Sequence, residues 1–462
     1  MAYKKGMTEK SSNKLSRREF GKLTTGGIAI IGAGAGAGGL IIAPAVASAA
    51  ITQTVGRAAD LPAAKGRRVV VVGGGWSGLT IAKYLKVNDP KLDVVLIERR
   101  AMFMSHPMSG LWLADKINLE TLTYSYLDGA RHNDYIYFNA GLIDIDRTAR
   151  KAYTDQGWLA YDDLVLAPGV DYDYASFGVT DPDDINKLMT RYPAGYVSGS
   201  EHLTLYNKVH DFKGGDFVLT APPGIFRCSA APYERACMIA SVFKRDGIKG
   251  RVVLIDPREE PAVEAEGFLA AFAELYVDYI EYMPSSVIES IDVGGKTITT
   301  GFDDIEFEDA AIYPRIRGAR LLEQLGLMDP KSSQKEAAMD PLTYNARTNG
   351  SNEENIYIAG DCRPMPFSKS ANTAWTEGMY LAKLIAARAN GKEIPWESPH
   401  TLCYSVVNTQ PLEAVMVSGK YKFDSASGQW EHNENFAINQ RDEEKGAKAL
   451  SWGRDRLRDM FT

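Results

Sequence analysis

Cysteine is scarce: the 462 residues hold four, Cys228, Cys237, Cys362 and Cys403. None stands in a CxxC or CxxCH arrangement, so the chain carries neither a paired-cysteine zinc site nor its own c-type haem, and no metal centre is expected. Four cysteines in so long a chain also make no disulfide framework. Positive charge is the second shortage. Lys+Arg number 52 against 59 Asp+Glu; the first 49 residues take seven and two of these, which leaves 45 against 57 and a net of −12 beyond them. Such a balance argues against nucleic acid and anionic membrane surfaces and favours a basic protein partner. Beyond residue 49 there is no run of eighteen apolar residues, so no spanning helix is expected there.

What the first 49 residues do contain is an export pattern. Ser16-Arg17-Arg18-Glu19-Phe20-Gly21-Lys22 precedes an apolar, glycine-rich run from Ile28 to Ala43, and Ala45-Val46-Ala47 and Ala47-Ser48-Ala49 offer small-residue cleavage sites. Residues 1–49 therefore read as a twin-arginine signal, a route that carries folded proteins, and the mature chain is expected in the periplasm. A retained membrane anchor is the alternative, and the glycines make it a poor one.

The stretch from Arg67 to Arg99 organises the rest. RRVVVV (67–72) has the character of a buried strand, GGGWSG (73–78) is a GxGxxG loop, LTIAKYLK (79–86) has helical spacing, and DVVLIE (93–98) is a second strand ending in Glu98. Gly73 permits the tight turn, Gly75 lets the backbone approach a pyrophosphate, and Gly78 lets helix and strand pack closely. The helix N-terminus faces the phosphates with free N–H groups. Glu98, with Arg99 beside it, is placed to contact the cofactor, and an acid there suits free ribose hydroxyls rather than a 2′-phosphate. Two later segments share the shape of a strand with a stop: YDDLVLAPG (161–169), ending in Pro168-Gly169, and NIYIAGDC (355–362), whose Gly360-Asp361 precedes a helix from about 371. Taken alone, each is an ordinary strand end. Between them a second strand, helix and strand unit begins at 216, but its loop, APPGIFRC (221–228), has Pro222 and Pro223 where a pyrophosphate needs glycines and N–H donors. NAD(P)H is therefore not expected there.

In this order the motifs resemble the flavin-disulfide reductase superfamily. The resemblance implies an α/β fold of two doubly wound dinucleotide-binding-type domains: an FAD domain from 66–180 and 319–390, and a second Rossmann-like domain at 181–318 without an NAD site. Residues 391–462 are expected to form a small α+β domain that ends in an amphipathic helix at about 443–460 and helps form a partner interface.

Closer agreement lies in Phe226-Arg227-Cys228, Ala231-Pro232-Tyr233-Glu234-Arg235-Ala236, PMPFSKSAN (364–372) and LCYSVV (402–407). These segments resemble the flavoprotein subunit of flavocytochrome c sulfide dehydrogenases. The resemblance implies bound FAD, a c-type cytochrome partner subunit and oxidation of sulfide at a redox-active disulfide beside the flavin. The sequence departs from that pattern twice. Cys228 matches the first redox cysteine, but Ala337 stands where the second is expected. His106 stands in the segment that should hold the cysteine linked to the flavin; it is either a covalent ligand to the flavin 8α carbon or a packing residue at the flavin edge. Cys228 is a candidate to carry substrate sulfur, or one small side chain in a loop. Glu234 is the candidate acid/base, since a carboxyl in an apolar flavin site can have a raised pKa. Cys237 and Cys403 read as core, and Cys362 as either core or flavin neighbour. Two other functions stay open: a dehydrogenase of a non-sulfur donor, and a non-catalytic electron-transfer subunit that retains FAD.

Overall fold

Consecutive valines make Arg68–Val72 (β1) suited to a strand buried on both faces, and in the computed structural model, which describes residues 56–462, all five of its residues are buried. It runs through the glycine loop into Trp76–Asn88 (α1) and pairs in parallel with Asp93–Ile97 (β2), Val70 opposite Val95. Ile136–Phe138 (β3) extends the sheet past β2, and Asp163–Leu166 (β4) lies on the other side of β1. Arg67 and Arg68 fasten the start of the sheet by ion pairs to Asp163 (2.6 Å) and Asp93 (2.5 Å). The expected signal at 1–49 lies outside the described residues.

A second parallel sheet follows. Ser200–Asp211 (α2) leads into Gly215–Thr220 (β5), Ala231–Asp246 (α3) returns to Gly250–Ile255 (β6), and Ile280–Met283 (β7) and Asp309–Ala311 (β8) complete the order β7-β6-β5-β8. Every pairing in it is parallel. Parallel sheets need cover on both faces, and α3, buried along most of its length, supplies one side.

The chain then rejoins the first sheet. Asn345–Thr348 (β9) pairs antiparallel with Ser351–Ile358 (β10), and β10 pairs in parallel with β4, so the first sheet runs β9-β10-β4-β1-β2-β3. Residues nearly two hundred positions apart thus build one surface. Ala371–Ala389 (α4), capped by Ser370, packs against α1 through Gly378, whose missing side chain admits Ser77 and Thr80.

Thr401–Thr409 (β11), Leu412–Asp424 (β12) and Gln429–Asp442 (β13) form an antiparallel sheet in sequence order. Asp442 caps Glu443–Phe461 (α5), the C-terminal helix. Trp452 of α5 stacks on Trp76 at 5.9 Å, Phe461 stacks on Tyr124 at 4.6 Å, and Asp459 accepts from Tyr84 and Trp375. The apolar side of this helix is therefore spent on its own chain, and the described residues form one compact unit. Among them no helix is long and apolar enough to cross a membrane, and no group of three or more His, Cys, Asp or Glu is arranged to hold a metal.

Candidate active site

The first sheet ends in a cleft of about 900 Å³ walled by Gly73, Gly75, Glu98, Pro168, Gly169 and Asp361, among others. Gly73 has φ +101°, and a side chain there would strike the Ala167 carbonyl. A Cβ on Gly78 would come 1.8 Å from the Gly73 carbonyl oxygen, so this glycine lets α1 begin close against β1. At Gly75 a Cβ meets nothing within 4 Å, and α1 starts there without a side-chain cap, leaving its first N–H groups to a ligand.

Glu98 accepts from the Gly74 N–H (2.8 Å) and the Arg100 N–H (3.0 Å). Burial works to raise its carboxyl, but Arg100 and these N–H groups outweigh that and hold it below the ordinary carboxylate range. Arg99 and Arg100 are both exposed, but it is Arg100 rather than Arg99 that lines the cleft, paired with Glu98 at 3.1 Å. The strand ends at Ile97 and the chain bends at Arg99, which leaves the Arg100 N–H and side chain on the Glu98 carboxylate.

Gly360 has φ +72°, and its N–H donates to Glu377, which pairs with the fully buried Arg363 at 2.6 Å. This buried pair fixes the Gly-Asp turn. Asp361 lies 3.4 Å from Arg227, and its Oδ1, like Ser77 Oγ, is buried with no partner among the described residues. Unpaired buried oxygens are costly; in a cleft with free helix N–H groups and an open Gly75 they fit a bound dinucleotide with hydroxyls to share.

A second cavity, about 730 Å³, shares Ser370 and Ala371 in its wall with the first and is lined also by His106, Cys228, Glu234, Cys403 and Trp452. His106 is buried, its Nδ1 lies 3.2 Å from His202 Nε2, and its ring rests on Tyr196. Burial first, then Arg227, His202 and Arg235, holds the imidazole well below the ordinary histidine range, so it is neutral. Cys228 sits at φ +58°, an uncommon conformation for a side-chain-bearing residue, and is fixed by its N–H to the Lys369 carbonyl (2.8 Å) and its carbonyl to the Ala231 N–H at the start of α3. Glu234 lies in the first turn of α3 and accepts from the Val406 N–H at 2.9 Å. Burial pushes its carboxyl up to about 7, against the pull of the Val406 N–H and Arg235.

Cys403 requires a second correction. It is not core but a half-buried wall of this cavity on β11, whereas Cys237 is fully buried in α3. The alternating pattern of a strand cannot say which face meets a cavity. Cys362 is buried, donates to the Ala359 carbonyl, and has its thiol pushed up to about 12 by burial. Ala337 is fully buried, its N–H on the Cys362 carbonyl. Glu264 went unmarked by any motif: it is 4 % exposed, accepts from Ser405 Oγ at 2.7 Å, and burial pushes it up to about 8.

In the second sheet, Arg258 donates to the Pro222 carbonyl (2.7 Å) and the Gly224 carbonyl (2.9 Å) and pairs with Asp256. The loop that would cradle a pyrophosphate in a nucleotide site thus presents carbonyls held by a guanidinium.

A glycine-loop cleft beside a cavity lined by two cysteines and one raised carboxyl is the arrangement of a flavin-dependent oxidoreductase. Residues 67–182 match the pyridine nucleotide-disulphide oxidoreductase family, and residues 203–314 match the family described as the central part of the sulfide dehydrogenase [flavocytochrome c] flavoprotein chain. A type II NADH:quinone oxidoreductase of Staphylococcus haemolyticus is 30% identical over 366 residues, covering 71% of this chain and 83% of that protein. The mitochondrial sulfide:quinone oxidoreductase of Schizosaccharomyces pombe is 20% identical, covering 71% and 75%. The solved structure of the sulfide:quinone oxidoreductase from Aquifex aeolicus has the same fold, with a TM-score of 0.68 at 16% identity over 86% of this chain and 91% of that one. The chain belongs to the FAD-dependent pyridine nucleotide-disulphide oxidoreductases, and its residues 203–314 are similar to the central part of the sulfide dehydrogenase flavoprotein chain.

Proposed function

We propose that this chain is an exported FAD-dependent dehydrogenase that oxidises sulfide or another small sulfur compound and passes the electrons to a c-type cytochrome. The observation that carries this reading is the shared wall: a cavity with a thiol, Cys228, and a carboxyl near 7, Glu234, abuts the dinucleotide cleft at Ser370 and Ala371. In the first cleft Glu98 and Asp361 would take ribose and ribityl hydroxyls while the N-terminus of α1 faces the pyrophosphate. FAD, when bound, supplies a two-electron acceptor that can release its electrons singly. Glu234 is the residue placed to take a proton from a small donor, since half-ionisation near neutral pH suits both acceptance and return. His106, neutral and engaged with His202, is a packing residue at the flavin edge in this reading, and FAD is held without a covalent bond.

The Arg258 clamp and the two prolines support the absence of NAD(P)H from the second domain. The cytochrome and the periplasmic location rest on the family match at 203–314, the acidic balance of residues 50–462 and the leader at 1–49. Ala337, where the resembling family has cysteine, favours a second reading with a donor that is not a sulfur compound. Anaerobic titration of the purified flavoprotein with sulfide, a panel of non-sulfur donors, NADH and NADPH separates the two. Bleaching of the flavin by sulfide within seconds is expected; bleaching only by a non-sulfur donor replaces the reading, and rapid bleaching by NADH overturns the assignment of the second domain.

A further inference from the structure

The residue aligned with the missing second redox cysteine, Ala337, is buried and walls neither cavity described above. Cys228 is nevertheless not alone. Cys403, from β11, lines the same cavity, and it also lines a neighbouring one together with Cys228. The two thiols thus share the walls of two cavities, and Cys228, with burial, holds the Cys403 thiol well above the ordinary range. Both are free cysteines, 175 positions apart in sequence. Two further observations mark the spot. Cys228 is held at positive φ from both sides of its backbone. Cys403 Sγ lies 3.6 Å from Ser405 Oγ, which donates to Glu264 at 2.7 Å, and the other oxygen of Glu264 is buried without a partner. A thiol, a hydroxyl and a buried carboxyl in line form a path for one proton.

We infer that Cys228 and Cys403 are the redox-active pair of this enzyme, Cys403 taking the part that the cysteine absent at Ala337 would play, with Ser405 and Glu264 carrying the proton of Cys403. Closing the pair joins the two sulfurs, releases two protons and passes two electrons to the bound FAD. Opening it, in a step that rests on the sulfide reading above, has hydrosulfide attack the Cys228 sulfur. The sulfur–sulfur bond breaks, Cys228 becomes a persulfide, and Cys403 leaves as a thiolate that takes a proton from Glu264 through Ser405. A second hydrosulfide removes the outer sulfur as the hydrogen disulfide anion and leaves Cys228 as a thiol, ready to close again.

The test uses the holoprotein, reoxidised with ferricyanide, alkylated in denaturant and digested with trypsin without reduction. The expected product joins peptide 228–235 to peptide 393–420, with only Cys237 and Cys362 alkylated. Under anaerobic dithionite titration the wild type is expected to take four electrons per FAD, and Cys228→Ser and Cys403→Ser two each, with FAD content unchanged. Cys237→Ala serves as the control that keeps the crosslink and the four electrons. Absence of the crosslink with two-electron uptake in the wild type overturns the pair, whether or not sulfide bleaches the flavin. A crosslink with four-electron uptake supports the pair, and if sulfide then fails to bleach the flavin it is the substrate reading that falls. Should both serine variants lose FAD, the crosslink in the wild type decides alone.

Discussion

Glu264 offers the sharpest test of the buried chemistry, because stability can read it without any substrate. Its carboxyl is 4 % exposed, and burial raises it from 4.5 to about 8, assisted by Glu234 and opposed by the Ser405 hydroxyl. In the unfolded chain the group ionises near 4.5, so between these limits the folded state holds a proton that the unfolded state has lost. The stabilisation is complete below about pH 4.5 and is lost as the pH rises through about 8. At about 1.4 kcal/mol per unit, the shift amounts to at most roughly 5 kcal/mol between pH 5 and 9. Glu264→Gln removes the titration and keeps an acceptor for Ser405. The variant should start roughly 1–2 kcal/mol less stable at pH 5, because an amide fits the unpaired position imperfectly. It should then lose less as the pH rises, so that the two curves cross between about pH 6 and 7 and the variant is the more stable above pH 8. Urea unfolding of holoprotein at half-unit pH steps gives both curves, and their difference isolates Glu264 from other groups that titrate in the window. Parallel curves from pH 5 to 9 would show that Glu264 ionises normally and would remove it as a proton carrier.

Gly75→Val should yield a folded, colourless protein, since a side chain there meets no protein atom but enters the dinucleotide cleft; retention of full flavin content refutes the placement of the cofactor. Acid precipitation should leave FAD in the supernatant, because His106 is bound to His202 and packed on Tyr196; a yellow pellet that turns colourless in His106→Ala establishes a histidyl link instead. Electron delivery to a basic c-type cytochrome should slow several-fold between about 20 and 200 mM salt, as expected for encounter steered by charge; indifference to salt, or efficient delivery to a quinone analogue alone, replaces the cytochrome with a quinone acceptor.

The parts of the molecule that were legible in the sequence are those in which backbone needs fix residue type. A strand buried on both faces calls for a run such as Val69–Val72, a close helix start calls for Gly78, and a left-handed turn calls for Gly360. Such requirements are local, so they survive as motifs, and the FAD cleft could be read from them. The second cavity is of another kind. Its wall joins α3, β11 and the loop before α3, and nothing local at Leu402-Cys403-Tyr404 says that Cys403 rather than its neighbours meets Cys228. Glu264 is harder still, since it belongs to no pattern and acquires its character from the burial that β11 imposes. Arg99 and Arg100 show the limit within a motif: the spacing located the contact to within one residue, and the bend at Arg99 put Arg100 on Glu98. The same reasoning bears on Ala337. A substitution at one position looks like a lost function when read along the chain, but the fold brings Cys403 of β11 into the cavity that Cys228 lines, so what matters is which sulfur that cavity holds, not which position in the sequence is expected to carry it.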